Sequence, residues 1–413
     1  MLLNKERAHS YMAEHNLRAL LVASPTNVSY FTGFDCWLYK KYRENMLVLG
    51  APPLQKEQFA VLPADGEPIL IMDTYSSLYA SEGDVAIQCY GNTIPAIEKA
   101  SGTKKELAHT KYFKRALGAQ KPTPAAAVIE ALRKSGIQAG KIGIEKAEFR
   151  ADTFKEIQKA FPKIQFLDSS ELLGFIRMVK TDEEKDRLKK AAEINEDALF
   201  QSLEKARDGK KMGKLAQEYL SLVSEKGAIF DHYFYSPDGL YLSAAPNYRL
   251  RRGEYTIIDS GCTYELYYGD MGTSLLVGER RKDVIQRYRD IWDTIEELAD
   301  RVQPGTTPSE VMDLFEKLYA KKGIKDADYQ GHGIGLEPRE YPIMGRGGAK
   351  SVADEIVEQD TDIPLEPDMV ISLETSLYEF GLGSYEVERT YVVGKRSLKP
   401  ITSDRDRSIV ICP

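Results

Sequence analysis

Apolar and polar positions along the chain alternate between two periods. Residues 4–16 carry apolar side chains at helical spacing and predict a helix, and Leu17–Ala23 is a continuous apolar run that predicts a buried strand. The next segment, SPTNVSYFTGF, predicts a turn and another strand, and Met46–Gly50, Phe59–Leu62 and Pro68–Met72 predict short strands. Lys105–Phe113 is charged and weakly periodic, as a loop is. Thr123–Ser135, opened by Pro124, predicts a helix, Lys141–Glu145 a strand, Ala151–Ala160 a helix and Ile164–Leu167 a strand. Strands alternating with helices argue for an α/β domain. It holds no cluster of ligand-type residues, so support and substrate enclosure are its expected work.

The pattern changes near residue 172, where LLGFIRMVK leads to Thr181, and we place a domain boundary there, giving 1–171 and 172–413. Thr181 with Glu184 three residues on is a capping box. The helix it opens runs to about Ala206 with Leu188, Ala191, Ile194, Ala198 and Leu199 on one face. Lys214–Lys226 predicts a second helix and Ile229–Tyr235 a strand. Arg281–Val302 is helical by period, and Thr307-Pro308-Ser309-Glu310 caps another helix. Helices, strands and helices around one hairpin recur toward a second, which predicts a duplicated α+β domain with a curved antiparallel sheet and helices on its convex face.

The two hairpins carry the candidate chemistry. Tyr255–Gly278 delivers Asp259 and Asp270, and Met369–Gly394 delivers Glu374 and Glu388. Strands so rich in Val, Ile and Tyr belong in an interior, where a carboxylate is costly unless neutralised. Spacings of eleven and fourteen residues suit adjacent strands, not one helical face. His332, in Gly331-His332-Gly333, lies between the hairpins and is a fifth candidate ligand. One imidazole with several carboxylates suits divalent Mn, Co, Zn or Fe. Two such ions sharing ligands would sit about 3.5–4 Å apart and hold a hydroxide at neutral pH.

Composition narrows the partners. A chain of 413 residues predicts two domains, and 42% hydrophobic with 29% charged residues is ordinary for a globular protein. Mixed charge with a net of −7 argues against nucleic acid and suits solubility and a small or neutral substrate. Cys36, Cys89, Cys262 and Cys412 lack metal-site spacing and read as reduced thiols. No apolar run approaches membrane-spanning length and the N-terminus lacks a signal-like apolar stretch, so a cytoplasmic protein without a membrane partner is expected.

With these residues in place the chain resembles the pita-bread metalloenzymes: creatinase, prolidase, aminopeptidase P and methionine aminopeptidase. LRALLVASPTNVSYFTGF is similar to the creatinase-type amino-terminal domain, and IRMVKTDEE to the family's approach to the catalytic domain. The resemblance implies a creatinase-like α/β domain followed by a pita-bread catalytic domain with a pseudo-twofold repeat. It also implies a dinuclear hydrolase in which Asp259 is the first ligand and Asp270 the bridging second. His332 would be the imidazole ligand, Glu374 the third acidic ligand and Glu388 the fourth, also bridging. A homodimer is implied too, with Asp35–Tyr39 of one subunit edging the other's site.

Around these five the chain departs from the family's peptidases. The histidine they carry about seventeen residues before the first Asp is absent from SPDGLYLSAAPNYRL, where Tyr241, Leu242 and Ser243 stand near its place. Arg339 replaces the histidine seven residues after the metal-binding one. Met271–Ser274 replaces the usual Asp-x-Thr-Arg-Thr, and Arg389 follows Glu388 where an acid is common, which predicts more cationic metal surroundings. The leading reading is a dinuclear metallohydrolase cleaving a C–N bond in an amide, amidine or dipeptide-like substrate. Glu374 is its general base and Arg339 either an anchor for a substrate carboxylate or a salt-bridge partner of Glu337 or Glu340. Tyr241, Tyr264, Tyr267, Tyr268 and His232 are candidate donors to a developing oxyanion. Creatinase-like or ectoine-hydrolase-like chemistry, a lyase acting on a sulfonium carboxylate, and a non-catalytic binding module are the alternatives. The intact ligand set weighs against the last.

Overall fold

The computed structural model describes residues 2–35, 57–74, 76–79, 85–91, 103, 120–345 and 350–413. The strand expected at Met46–Gly50 and the loop expected at Lys105–Phe113 lie outside them. The chain divides into one unit of Met1–Ile176 with Val352–Glu358 and another of Arg177–Ser351 with Gln359–Pro413.

In the first unit, β1 (Leu17–Val22), β2 (Phe59–Pro63), β3 (Ile69–Asp73), β4 (Ala86–Tyr90), β5 (Gly140–Ile144) and β6 (Ile164–Asp168) form a sheet in the order β4-β3-β2-β1-β5-β6. The pairs β1–β5 and β5–β6 are parallel. Parallel neighbours need crossovers, which the helices Pro124–Lys134 and Ala151–Ala160 supply. Leu21, Val61, Ile71, Val128, Ile142 and Ile157 share its core. The strand β4 carried no recognisable alternation in the sequence.

SPTNVSYFTGF departs from the expectation of a turn and strand, because Pro25–Thr32 is a helix. Ser24 caps it by accepting from the Asn27 N–H, Pro25 occupies the first turn, and Gly33 closes it in the left-handed region at φ 67°. Glu145, at the end of β5, accepts from the Ala23 and Ser24 N–H groups, the Ser24 hydroxyl and the Asn27 amide. Burial of Val28, Tyr30 and Phe31 then overrides their β preference.

The second unit opens with the helix Asp182–Leu203, whose Thr181–Glu184 capping box is formed and whose expected apolar face is buried. Asn195 on that face donates to the carbonyls of Ser260 and Gly269 and so ties the helix to the first hairpin. After the helix Met212–Glu225 come β7 (Ile229–Tyr235), β8 (Tyr255–Tyr264) and β9 (Tyr267–Val277). The helices Lys282–Arg301 and Pro308–Lys321 follow, the latter with its own Thr307–Glu310 capping box. Next are β10 (Asp328–Gly333), β11 (Glu340–Met344), a short ribbon of β12 (Ser351–Ala353) and β13 (Glu358–Asp360), and the second hairpin, β14 (Val370–Glu379) and β15 (Gly383–Val393). The strands β16 (Leu398–Pro400) and β17 (Val410–Cys412) complete the chain.

All of these strands except β12 and β13, which pair with each other, build a nine-stranded sheet in the order β11-β10-β14-β15-β8-β9-β17, with β7 beside β8 and β16 beside β15. Each hairpin has its own helical backing. Ile258 and Leu275 share a core with Ile194, Leu199 and Leu215, whereas Ile371, Leu373 and Val387 pack with Ile291, Ile295 and Phe315. Among the described residues no helix is long and apolar enough to cross a membrane, and Cys89, Cys262 and Cys412 are free and buried.

Candidate metal centre

Strand register assembles the site. Asp259 lies opposite Gly272 and Asp270 opposite Gly261, so the two aspartates are diagonal neighbours on one face of the β8–β9 ladder. Glu374 and Glu388 lie directly opposite each other on β14 and β15. His332 on β10 is paired with Ser372, and its ring Nε2 stands 3.6 Å from Glu374 Oε1 and 3.5 Å from Glu388 Oε1. Asp270, His332 and Glu388 bring one ligand atom each within 4.8 Å of one another. The five residues singled out in the sequence thus come from β8, β9, β10, β14 and β15 to one face of the sheet.

The structure adds two residues. His232 on β7 is paired with Gly261, and with Asp259 and Asp270 it forms a second group of ligand atoms within 4.8 Å. It entered the sequence reading as an oxyanion donor, because a separation of 27 residues from Asp259 carries no ligand signal. Glu386 is two residues before Glu388 on the same strand face, which strand periodicity makes visible in retrospect. Its Oε1 accepts from the Ser376 hydroxyl, while Oε2 is buried with no hydrogen-bond partner among the described residues. Gly272 leaves the space, since a Cβ there would lie 2.7 Å from Glu386 Oε2.

So many acids in one interior place leave a deficit of positive charge. Burial pushes the Asp259 carboxyl up, with the His232 hydrogen bond pulling against it. Burial and then the Glu388 charge push Glu374 up to about 8, and burial with the Asp259 and Glu374 charges drives Glu386 far above the carboxylate range. Burial opposes a charge on His332, but the Glu388 hydrogen bond and the surrounding carboxylates outweigh it and raise its pKa. A cation would reverse this proton-holding tendency. The oxygen and imidazole donors, clustered and short of positive charge, fit divalent metal ions.

Other sequence expectations resolve differently. Arg339 pairs with Glu374 and donates to Gln330, while Glu337 pairs with Arg177, and Glu340 is buried against Lys180. The suggested pairing of Arg339 with Glu337 or Glu340 is therefore replaced by contact with the cluster itself. Arg389 does not add positive charge to that cluster. Side chains alternate across a strand, so Arg389 projects from the opposite face to Glu388, toward Asp404, Asp406, Glu296 and the ring of Trp292.

Tyr267 is buried and donates to Glu184, away from the cluster. Tyr241 is 59% exposed, and no hydrogen bond among the described residues joins it to the five. Tyr264 packs at the edge of the first hairpin's core, and Tyr268 is half-buried. Of Asp35–Tyr39 only Asp35 is described, and it is exposed.

A family model for the creatinase/prolidase N-terminal domain matches residues 5–179, and one for metallopeptidase family M24 matches residues 186–395. The chain belongs to metallopeptidase family M24. An M24 chain of this kind is a metallohydrolase of the peptidase type that uses divalent metal ions. It is 23% identical to an Xaa-Pro dipeptidase of Pyrococcus furiosus over 406 residues, 96% of this chain and 97% of that protein. It is 24% identical to an Xaa-Pro dipeptidase of Lactobacillus delbrueckii subsp. lactis over 412 residues, 97% of this chain and 96% of that one. Among solved structures, a dipeptidase of Pyrococcus horikoshii superposes with TM-score 0.72 at 20% identity, covering 98% of this chain and 99% of that one. An X-Pro aminopeptidase of Thermotoga maritima gives TM-score 0.69 at 19% identity and 99% coverage of both. This M24 chain accordingly has the expected α+β architecture, a creatinase-type α/β unit followed by a pita-bread unit.

Proposed function

We propose that this M24 chain is a dinuclear hydrolase that cleaves the C–N bond of a dipeptide-like substrate bearing a free carboxylate, of the Xaa-Pro type. The observation that carries the reading is the convergence of Asp259, Asp270, His332, Glu374 and Glu388 on one face of the sheet. Asp270 belongs to both ligand groups, and with Asp259, His332, Glu374 and Glu388 it would hold the ions. Divalent ions held there would polarise a carbonyl and acidify water. Glu374, on the cluster's face beside His332, would take the proton from water and deliver it to the leaving nitrogen. His332 is fixed for its part by Nδ1, 3.0 Å from the Gly333 carbonyl oxygen.

Arg339 is 48% exposed in its side chain and reaches the cluster's rim, so it holds Glu374 and presents its remaining donors to the substrate carboxylate. Tyr241 has no part in this reading. Arg339 in place of a proton-shuttling imidazole also favours a second substrate class, small non-peptide zwitterions cleaved at a C–N bond. A cytoplasmic homodimer goes with either, as the family resemblance implies.

The test is an assay of chelated protein reloaded with Mn, Co, Zn or Fe against Xaa-Pro dipeptides, creatine, ectoine and dimethylsulfoniopropionate. Turnover of Xaa-Pro dipeptides that vanishes on chelation and returns with metal is expected. Full activity in the metal-free protein overturns the proposal, turnover confined to creatine or ectoine selects the second class, and turnover confined to dimethylsulfoniopropionate, which has no C–N bond, overturns both.

A further inference from the structure

We propose that His232 is a sixth protein ligand, holding a divalent ion together with Asp259 and Asp270. The inference rests on the metallohydrolase reading and concerns a residue outside the five family ligands. Its Nε2 lies 3.0 Å from Asp259 Oδ1 and 3.5 Å from Asp270 Oδ1. Donors bound at about 2.0–2.2 Å to one ion stand about 3–3.5 Å apart for right-angle to tetrahedral arrangements, so these separations are those of ligands sharing a cation.

The ring is held as a metal ligand's ring is held. Nδ1 lies 2.8 Å from Asp231 Oδ2, which fixes the tautomer with its proton on Nδ1 and turns the Nε2 lone pair toward the two aspartates. Phe234 stacks on the imidazole with centroids 5.0 Å apart. Gly261, its cross-strand partner, leaves the room: a Cβ there would lie 2.3 Å from the ring Cε1. The same device recurs at His332, whose Nδ1 is anchored on a backbone carbonyl while Nε2 faces two glutamates. Each half of the duplicated unit thus offers one anchored imidazole to a pair of carboxylates.

The competing arrangement is an imidazolium bridging Asp259 and Asp270 in an ion's stead, and the two differ in what removal of the ring does to metal binding. Chelator-stripped wild type, His232→Ala and Asp231→Asn are titrated with Co(II), following the visible spectrum, and bound cobalt is counted per chain after dialysis at fixed free metal. Two ions are expected in the wild type. Asp231→Asn, which keeps the side chain's shape, weakens one of them by about 10–100-fold, and His232→Ala weakens the same ion at least as much while leaving the other unchanged. Nitrogen ligation also predicts that this loss is greater for Co and Zn than for Mn.

Unchanged stoichiometry and affinities in both variants, or a gain of metal in His232→Ala, overturns the proposal. If His232→Ala fails to fold, Asp231→Asn alone decides by the same criterion. A wild type that binds no cobalt at all instead refutes the metallohydrolase reading beneath it.

Discussion

Arg389 offers a sharp test of how the sheet divides its charges. Its guanidinium is fully buried, 3.5 Å from the equally buried Asp406 and 3.4 Å from Glu296, with Asp404 at 2.9 Å. Arg389→Met keeps most of the side chain's bulk and strands Asp406 without its cation. Removing one partner of a buried pair costs about 3–5 kcal/mol. The pH dependence carries a sign.

Burial raises the Asp406 carboxyl to about 7 even though Arg389 pulls it down, so the variant's value is higher still. Below pH 7 both folded proteins hold the proton and the gap between them is constant. Above it the wild type ionises while the variant keeps its proton, and the gap widens by about 1.4 kcal/mol per pH unit until the variant's own pKa is reached. Denaturant unfolding at pH 6 and pH 8.5 therefore shows a gap up to about 2 kcal/mol larger at the higher pH. Arg389→Met/Asp406→Asn recovers most of the loss and removes its pH dependence. A pH-independent gap refutes the electrostatic account. Loss of bound metal at unchanged stability would return Arg389 to the carboxylate cluster.

Two further outcomes follow from the same coordinates. Glu184, whose carboxyl burial raises to about 7, holds a proton in the folded state that the unfolded chain releases near 4.5, so its contribution to stability falls as pH rises between those values. Glu184→Gln lacks that loss and gains about 3 kcal/mol on the wild type between pH 5 and pH 8 in unfolding experiments, and parallel curves would contradict it. Arg339→Ala raises KM about 10–100-fold for substrates with a free carboxylate and leaves their amides nearly unchanged, as loss of a charged hydrogen bond requires. Equal losses on both would assign Arg339 to holding Glu374 alone.

The hairpins were legible because burial and strand period are written locally: each carboxylate sits inside a β-branched run, and opposing residues follow from a short turn. The capping boxes at Thr181 and Thr307 were legible for the same reason. What the sequence withheld depends on distant partners. Pro25–Thr32 is rich in β-formers, and its helix is held by Glu145, about 120 residues away, although Ser24-Pro25 was a local cap signal. His232 joins the site only through its register with Gly261. Alternation along β15 turns Arg389 away from Glu388, against the expectation of more cationic metal surroundings, and its partners Asp404 and Asp406 come from a segment with no recognisable pattern.

Glu374 and Glu388 stand rung to rung across one ladder, an arrangement that like charges resist. An empty centre therefore relieves itself by retaining a proton, and a filled one by the ion's own field. Since the unfolded chain brings no such pair together, every increment of metal affinity is also an increment of resistance to unfolding. For this ribbon, keeping its shape and keeping its cargo are one equilibrium.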